Sequence, residues 1–273
     1  MSDFKLSQEQ IETFQKEGVL GLKGAFKDWV DVLREGVAQN LDAPGEFATD
    51  SIREGEGGRF FDDYCNWERI QPYQDFIQNS DCAEIAAKAM KSKTAQLFHE
   101  HAVIKEAGTA KATPWHHDMP YYCVDGPQTV SVWIALDPVP LEATVQFVAG
   151  SHSWGKLFYP RKFLDGAAYV QDASELEHIP DIDGNRDQYE IREWACEPGD
   201  AVLFDFRTLH GTTAAMLKGR RRAIAFRWLG AGAYYMDRQG ETSPPYPELE
   251  GKLKSGDALP ASTFPVIWEE KAA

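Results

Sequence analysis

Two histidines and one aspartate stand out in this sequence, because their types and spacing suit a metal ion. The segment "ATPWHHDMPYYCVDG", residues 112–126, puts His116 and Asp118 two positions apart. In an extended strand, residues i and i+2 project from the same face, so these two side chains are expected to point together while His117 points away. A third ligand must come from elsewhere. His210 is the best candidate, because it ends the strand-like segment "AVLFDFRTLHG".

Two histidines and one carboxylate on one face of an iron ion leave the opposite positions open. This facial triad is typical of non-haem iron(II) oxygenases, which need the open positions for a cosubstrate and dioxygen. An HxD triplet by itself is a weak signal, since it often occurs by chance. The other histidines, taken one at a time, are expected in packing or surface positions; they are His99, His101, His152 and His178.

An arginine downstream of His210 strengthens the metal interpretation. In "RRRAIAFRW", strand alternation divides the residues into one face with Arg221, Ala223, Ala225 and Arg227, and another with Arg222, Ile224, Phe226 and Trp228. A guanidinium can form a bidentate pair with a carboxylate, and small residues beside Arg221 leave room for such a ligand. Because a buried charge without a partner is costly, an anion is expected next to Arg221.

Composition restricts the class of protein. The chain has 273 residues, with 43% hydrophobic and 26% charged, which suits a folded protein with one large core. A net charge of −15 and a pI of about 4.9 argue against nucleic acid or an anionic membrane as the main partner. Four cysteines without a CxxC pair favour free thiols. With a polar N-terminus and no long apolar run, the expectation is a soluble cytoplasmic protein; the oligomeric state is not readable.

The elements that must position these residues begin with helices. Ser7 is a natural N-cap, Gln10 completes a capping box, and Gly18 is expected to end the first helix before a short strand. Two further helices are predicted at 28–41 and 81–92. A surface loop is predicted between them, at 42–58.

From about residue 96, short apolar runs alternate with turns, which indicates an all-β region. The simplest architecture is a set of helices packed on a double-sheeted barrel, in one domain. A polar insert at roughly 156–187 shows few strand signals. We expect it to cover the cavity, since lids are commonly built from such segments.

In their order and spacing, these segments resemble the phytanoyl-CoA dioxygenase family. The matching features are HxD, a distal histidine at 210, an arginine eleven residues beyond it, and the flanking segments from "LSQEQIETFQKEGVLGL" to "RRAIAFRW". The resemblance covers most of the chain. It implies a mainly β fold with flanking α-helices and a double-stranded β-helix, or jelly-roll, core. The core is expected at about 96–235, after a helical part at about 1–95 and before a C-terminal tail that packs on it.

The resemblance also implies roles for individual residues. His116, Asp118 and His210 are expected to bind Fe(II), and Arg221 with Thr212 to bind the distal carboxylate of the cosubstrate 2-oxoglutarate. Further contacts with the cosubstrate are implied for Trp133, His101 and Lys105.

The expected activity is hydroxylation of a small-molecule metabolite by O2, with release of succinate and CO2. Related halogenases have a small residue where Asp118 stands, so a carboxylate there implies hydroxylation. Two alternatives stay open: a non-catalytic sensor that binds 2-oxoglutarate or a metabolite, and another metal-dependent enzyme on the same fold. Arg221 with Thr212 argues against the second alternative, because such an enzyme has no need of a carboxylate clamp.

Substrate contacts are predicted from the aromatic residues around the metal motif. Tyr122, Tyr121 and Trp115 are expected to form a substrate wall, and packing at a strand edge is an equally open interpretation. Several arginines can serve an anionic substrate, although most are expected to be solvated or paired with acids; among them are Arg207, Arg222 and Arg227.

Overall fold

The computed structural model of the protein describes residues 4–52, 58–108, 112–160, 176–213 and 218–271. Its α-helices are α1 (Gln8–Glu17), α2 (Val30–Asp42), α3 (Gln71–Asn79) and α4 (Cys82–Ala89). Its strands are β1 (Val19–Leu22), β2 (Thr49–Ile52), β3 (Arg59–Tyr64), β4 (Thr94–Lys105), β5 (Thr113–His116), β6 (Val124–Asp125), β7 (Thr129–Ala135), β8 (Val145–Val148), β9 (Leu157–Phe158), β10 (Leu176–Glu177), β11 (Ile191–Arg192), β12 (Ala201–Phe204), β13 (His210–Thr212), β14 (Arg221–Leu229), β15 (Tyr234–Tyr235) and β16 (Val266–Glu269).

Two antiparallel sheets form the body of the fold. Within the described residues, the larger sheet has eight strands in the order β1-β12-β7-β14-β4-β3-β2, with β16 pairing β4. The smaller sheet has the order β11-β8-β13-β5. The predicted fold class, mainly β with flanking helices and a jelly-roll core, is confirmed.

The first helix begins and ends where the sequence predicts. The Ser7 hydroxyl accepts the Gln10 N–H at 3.1 Å, and the Gln10 side chain accepts the Ser7 N–H at 2.8 Å. Gly18 adopts φ 70°, a left-handed conformation that glycine tolerates without strain, and ends the helix. Of the helices that the structure describes, none is long and apolar enough to cross a membrane.

The N-terminal part contains more strand than the sequence indicates, so the prediction of a helical region before residue 96 is incomplete. β1 pairs with β12, and the β2–β3 hairpin pairs with β4, so three early strands extend the larger sheet. The predicted loop at 42–58 includes β2, and α3 was not predicted. The strand "RFFDDY" shows no apolar period because Asp63 is buried as a hydrogen-bond acceptor of Asn40, at 2.7 Å.

The helices cover one face of the larger sheet. Phe76 of α3 packs on Phe226 of β14, with ring centroids 4.6 Å apart, in a core that also buries Ile224 and Trp228. The opposite face of β14 puts Ala223 and Ala225 between the two sheets. The predicted alternation along this strand is confirmed. Because helices and strands share one core, we propose a single domain for the chain.

Part of the polar insert predicted at 156–187 is described. β9 and β10 pair in parallel, and a 3-10 turn follows at Asp183–Gln188. Residues 161–175 lie outside the described residues, so the expectation that this insert covers the cavity stays a prediction.

Removing one methyl group from the helix side of β14 tests this two-faced arrangement. Ile224 is fully buried, so Ile224→Val should lower the free energy of unfolding by about 1 kcal/mol. Denaturant unfolding measures the change. The matched control is Ile267→Val, at a partly exposed position against the same core. Its free energy of unfolding should fall by less. Metal affinity should be unchanged in both variants. A loss of metal affinity in Ile224→Val alone would contradict the separation of the helix face of β14 from its cavity face.

Candidate metal centre and its cavity

Adjacent strands of the smaller sheet carry the two histidines of the predicted triad. His116 ends β5, His210 begins β13, and the two are direct cross-strand partners. Their ring centroids are 4.1 Å apart. Asp118 follows the end of β5 and has helical backbone angles, φ −75° and ψ −32°. The expectation of one extended strand through Asp118 is therefore wrong, yet the predicted convergence of the side chains is correct.

The three side chains form a compact set of donor atoms. Asp118 Oδ1 lies 3.6 Å from His116 Nε2 and 3.8 Å from His210 Nε2. Candidate ligand atoms of the three residues all lie within 4.8 Å of one another, and all three residues are buried. This arrangement can hold a metal ion.

The hydrogen bonds of both imidazoles direct the same nitrogen towards the centre. His116 Nδ1 lies 2.9 Å from the Pro114 carbonyl, and His210 Nδ1 lies 2.9 Å from the Thr208 carbonyl. Since a carbonyl can only accept, each Nδ1 carries the proton and each Nε2 carries a lone pair. Burial lowers the pKa of His116 to about 3, with a contribution from His210, and burial also lowers the pKa of His210. Both rings are thus neutral ligands near neutral pH.

Asp118 supplies the negative charge of the set. Burial by itself would raise the pKa of this carboxyl, but the neighbouring charges, that of Arg227 first, lower the pKa to about 2. Arg227 Nη2 lies 3.5 Å from Asp118 Oδ2. Two neutral imidazoles and one carboxylate are the donors that suit iron(II) in a facial triad.

The neighbours of His116 in the motif point away from this centre. His117 is buried, its Nε2 accepts the Phe158 N–H at 3.0 Å, and its Nδ1 lies 3.3 Å from the Arg207 carbonyl. Trp115 does not line the cavity and packs on a separate cluster with Leu209 and Phe158. The prediction that Trp115 forms a substrate wall is therefore not supported, because strand alternation turns it to the face opposite His116.

A cavity of about 330 Å3 opens beside the triad. Its wall brings together the predicted cosubstrate residues, namely Arg221, Thr212, Trp133, His101 and Lys105. Strands β4 and β14 supply much of this wall, with Lys105 and Arg221 as cross-strand partners.

Arg221 is buried in this cavity wall. Its Nη1 donates to the Ala143 carbonyl at 2.9 Å, and its guanidinium carbon lies 5.6 Å from the Trp133 ring centroid. Burial lowers the pKa of Arg221 to about 10. In the described parts of the chain, no carboxylate lies within ion-pair distance (4.0 Å) of Arg221. The site therefore fits a carboxylate ligand, which would supply the missing negative charge.

The other predicted cosubstrate residues offer polar contacts. Thr212 Oγ1 accepts the Thr113 N–H at 2.8 Å, so the hydroxyl proton can be donated to a ligand. His101 Nε2 lies 3.2 Å from Asp62 Oδ2, and both side chains border the cavity.

The two tyrosines of the motif line the cavity and are well buried. Tyr121 is 7% exposed, with its ring centroid 6.3 Å from that of His116. Tyr122 is 4% exposed and interacts with Asp118 and Arg227. Tyr122 lines the cavity, so the expectation that it forms part of a substrate wall stays a prediction. The 3-10 turn at Met119–Tyr121 directs the chain into the core, where Tyr122 packs beside the metal ligand.

Several cavity residues were not predicted as site residues. In β4 the alternating pattern "HEHAVIK" directs His99 and Val103 to the same face as His101, and this period could have found them. Alternation in β3 could have found three more, Phe60, Asp62 and Tyr64. Ser243 and Pro244, from the C-terminal segment, also border the cavity without any signal in the sequence.

Two of the cations considered for an anionic substrate, Arg207 and Arg222, are paired with acids, as most such cations were expected to be, whereas Arg161 and Lys162 lie outside the described residues. Arg207 contacts Asp125. Arg222 binds Asp137 through Nε and Nη2, at 2.9 and 2.7 Å.

Comparisons with known proteins found one matching family model and a set of solved structures with a similar fold. The family model described as phytanoyl-CoA dioxygenase (PhyH) matches residues 14–223, which is more than half of the chain. No curated protein matches the sequence.

Solved structures share the fold. The non-heme alpha ketoglutarate dependent carbocyclase SnoK from nogalamycin biosynthesis is 19% identical, with a TM-score of 0.70 and 96% of each chain covered. The epimerase SnoN, in complex with Fe3+, alpha ketoglutarate and nogalamycin RO, is 18% identical, with a TM-score of 0.72 and coverage of 96% of this chain and 98% of SnoN. EctD from S. alaskensis, with 2-oxoglutarate and 5-hydroxyectoine, is 16% identical, with a TM-score of 0.67 and coverage of 96% and 88%. At these identities the likeness shows the fold, and the family match shows more: the chain belongs to the phytanoyl-CoA dioxygenase (PhyH) family.

Proposed function

We propose that this protein is an Fe(II)- and 2-oxoglutarate-dependent dioxygenase that hydroxylates a small molecule. The observation that carries the proposal is the burial of Arg221, without a carboxylate partner among the described residues, in the wall of the cavity that also contains the metal triad. When bound, Fe(II) and 2-oxoglutarate supply oxidation by O2, and the cosubstrate leaves as succinate and CO2.

The proposed roles follow from the donors that each side chain offers. His116, Asp118 and His210 hold the iron through two lone-pair nitrogens and one carboxylate oxygen. Arg221 pairs with the distal carboxylate of 2-oxoglutarate, and Thr212 donates its hydroxyl proton to the same group. Three further residues border the cosubstrate region in this proposal: Trp133, His101 and Lys105.

Cavity size supports a small-molecule substrate. About 330 Å3 must accommodate both the cosubstrate and the reacting part of the substrate. The cavity wall also combines aromatic and polar groups, with Tyr121, Tyr64, Asp62 and Ser243. A cytoplasmic location stays a prediction from composition.

Replacing Arg221 tests the cosubstrate assignment. Arg221→Ala should weaken 2-oxoglutarate binding by about 3 kcal/mol or more, because a buried ion pair loses one partner, and iron should stay bound. The visible absorption of the anaerobic Fe(II)–2-oxoglutarate complex reports binding. The control Arg222→Ala removes a cation from the same strand that is bound to Asp137, and it should retain the affinity. Equal affinities of the two variants for 2-oxoglutarate would disprove the pairing of Arg221 with the cosubstrate.

The adjacent histidines of the motif provide a matched test of the metal site. His116→Ala should abolish stoichiometric Fe(II) binding in the purified protein. His117→Ala should retain the metal, while losing about 1–3 kcal/mol of stability, since it leaves buried hydrogen-bonding groups without partners. Metal content and thermal unfolding distinguish the two effects. Retained binding in His116→Ala would exclude the proposed ligand set.

Product analysis tests the reaction type. In a metabolite screen, a true substrate should stimulate succinate formation and gain one oxygen atom, labelled when 18O2 is supplied. A product of unchanged mass would indicate epimerisation, and loss of two hydrogens would indicate ring closure or desaturation; either result would replace hydroxylation. Binding of 2-oxoglutarate without succinate formation for any compound would favour the sensor alternative.

A further inference from the structure

The carboxylate of Asp118 has its two oxygens in different surroundings. Oδ1 lies between the two imidazoles, 3.6 Å from His116 Nε2 and 3.8 Å from His210 Nε2. Oδ2 is 3.5 Å from Arg227 Nη2. One oxygen is therefore directed at the metal position and the other is occupied by a cation.

Arg227 is held firmly in the sheet. It lies in β14 between two hydrogen-bonded neighbours, opposite His99 of β4 on one side and Ser131 of β7 on the other. It is 7% exposed, and its guanidinium carbon lies 5.7 Å from the ring centroid of Tyr122. Paired backbone on both sides and packing on an aromatic ring restrict the positions that the guanidinium can take.

The remaining nitrogens of Arg227 are covered by protein atoms in this structure. Nε and Nη1 are buried, and neither has a hydrogen-bond partner among the residues that the structure describes. Because these atoms are covered, a ligand in the cavity does not reach them. Within the described chain, Asp118 is the one carboxylate in ion-pair contact with Arg227, so the contact also compensates a buried cation.

Tyr122 acts on the same pair. Its hydroxyl interacts with both Asp118 and Arg227. Its ring is buried in a cluster with Phe98 and Phe206, so the phenol is kept in position by packing.

We propose that Arg227, supported by Tyr122, is a positioning residue that engages Asp118 Oδ2 and so reserves Oδ1 as the single carboxylate oxygen for the metal. This inference rests on the proposed metal site. One-oxygen ligation leaves a coordination position open that a carboxylate bound through both oxygens would fill. Open positions are what a facial-triad site requires for its other ligands.

On removal of Arg227, the proposal predicts a change in metal affinity opposite to the change that simple charge repulsion predicts. If Arg227 acted only as a nearby positive charge, its removal would tighten the binding of a divalent cation. If it orients the ligand, its removal weakens binding, as is typical when an outer hydrogen-bond partner of a metal ligand is lost. The sign of the change therefore distinguishes the two roles.

Co(II) titration of the metal-free protein, followed by visible absorption, is the test. Arg227→Met should bind Co(II) about 10–100-fold more weakly than the unmodified protein, and its absorption band should change in intensity as the carboxylate turns. Arg227→Lys, which keeps the charge, should recover part of the affinity. Arg222→Met removes the other paired arginine of β14 and should bind as the unmodified protein does.

Unchanged or tighter binding in Arg227→Met would overturn the proposal, and so would an equal loss in Arg222→Met. If Arg227→Met does not fold, as judged by thermal unfolding, Arg227→Lys decides: a several-fold loss supports orientation by the guanidinium, and full affinity overturns it. Failure of the unmodified protein to bind Co(II) at all would instead count against the proposed metal site, so the two failures are distinguishable.

Discussion

Register between β5 and β13 is the constraint on which the candidate metal centre depends. Direct opposition of His116 and His210 brings two imidazoles within ligand distance of one ion. A slip of one residue would turn one ring to the other face of the sheet. Gly211 stands where the register shifts, and a Cβ there would lie 3.0 Å from the Thr113 carbonyl. The close approach of the two strands thus favours glycine next to the distal histidine.

Two buried arginines on one face of β14 line the cavity. Arg227 is paired with Asp118, and Arg221, near Trp133, lacks a carboxylate among the described residues. The contrast has a physical basis, because a buried cation without an acid favours an anionic ligand. Since the helices pack on the opposite face of the same strand, both guanidiniums project from a rigid element, as an accurate site requires.

Much of this arrangement could be predicted from short-range patterns. Alternation in "RRRAIAFRW" assigned Arg221 and Arg227 to one face, and the capping box and Gly18 located the first helix. The β2–β3 hairpin, α3 and the contribution of the C-terminal segment were missed. In β3 the charged Asp62 borders the cavity and Asp63 is buried by hydrogen bonds, so neither follows the simple rule that polar residues face water.

The sequence by itself determined the chemistry of the centre: which side chains can donate to a metal, which arginine can pair with a carboxylate, and which faces of a strand they share. These are local properties, since residue type and the period of a strand need no knowledge of distant segments. The tertiary structure decided which groups these side chains contact. It turned Trp115 away from the cavity, buried Tyr122 beside Asp118, joined Arg227 to the same carboxylate, and brought Ser243 to the wall. Such contacts join segments far apart in the chain, and the packing of the two sheets and the helices selects them.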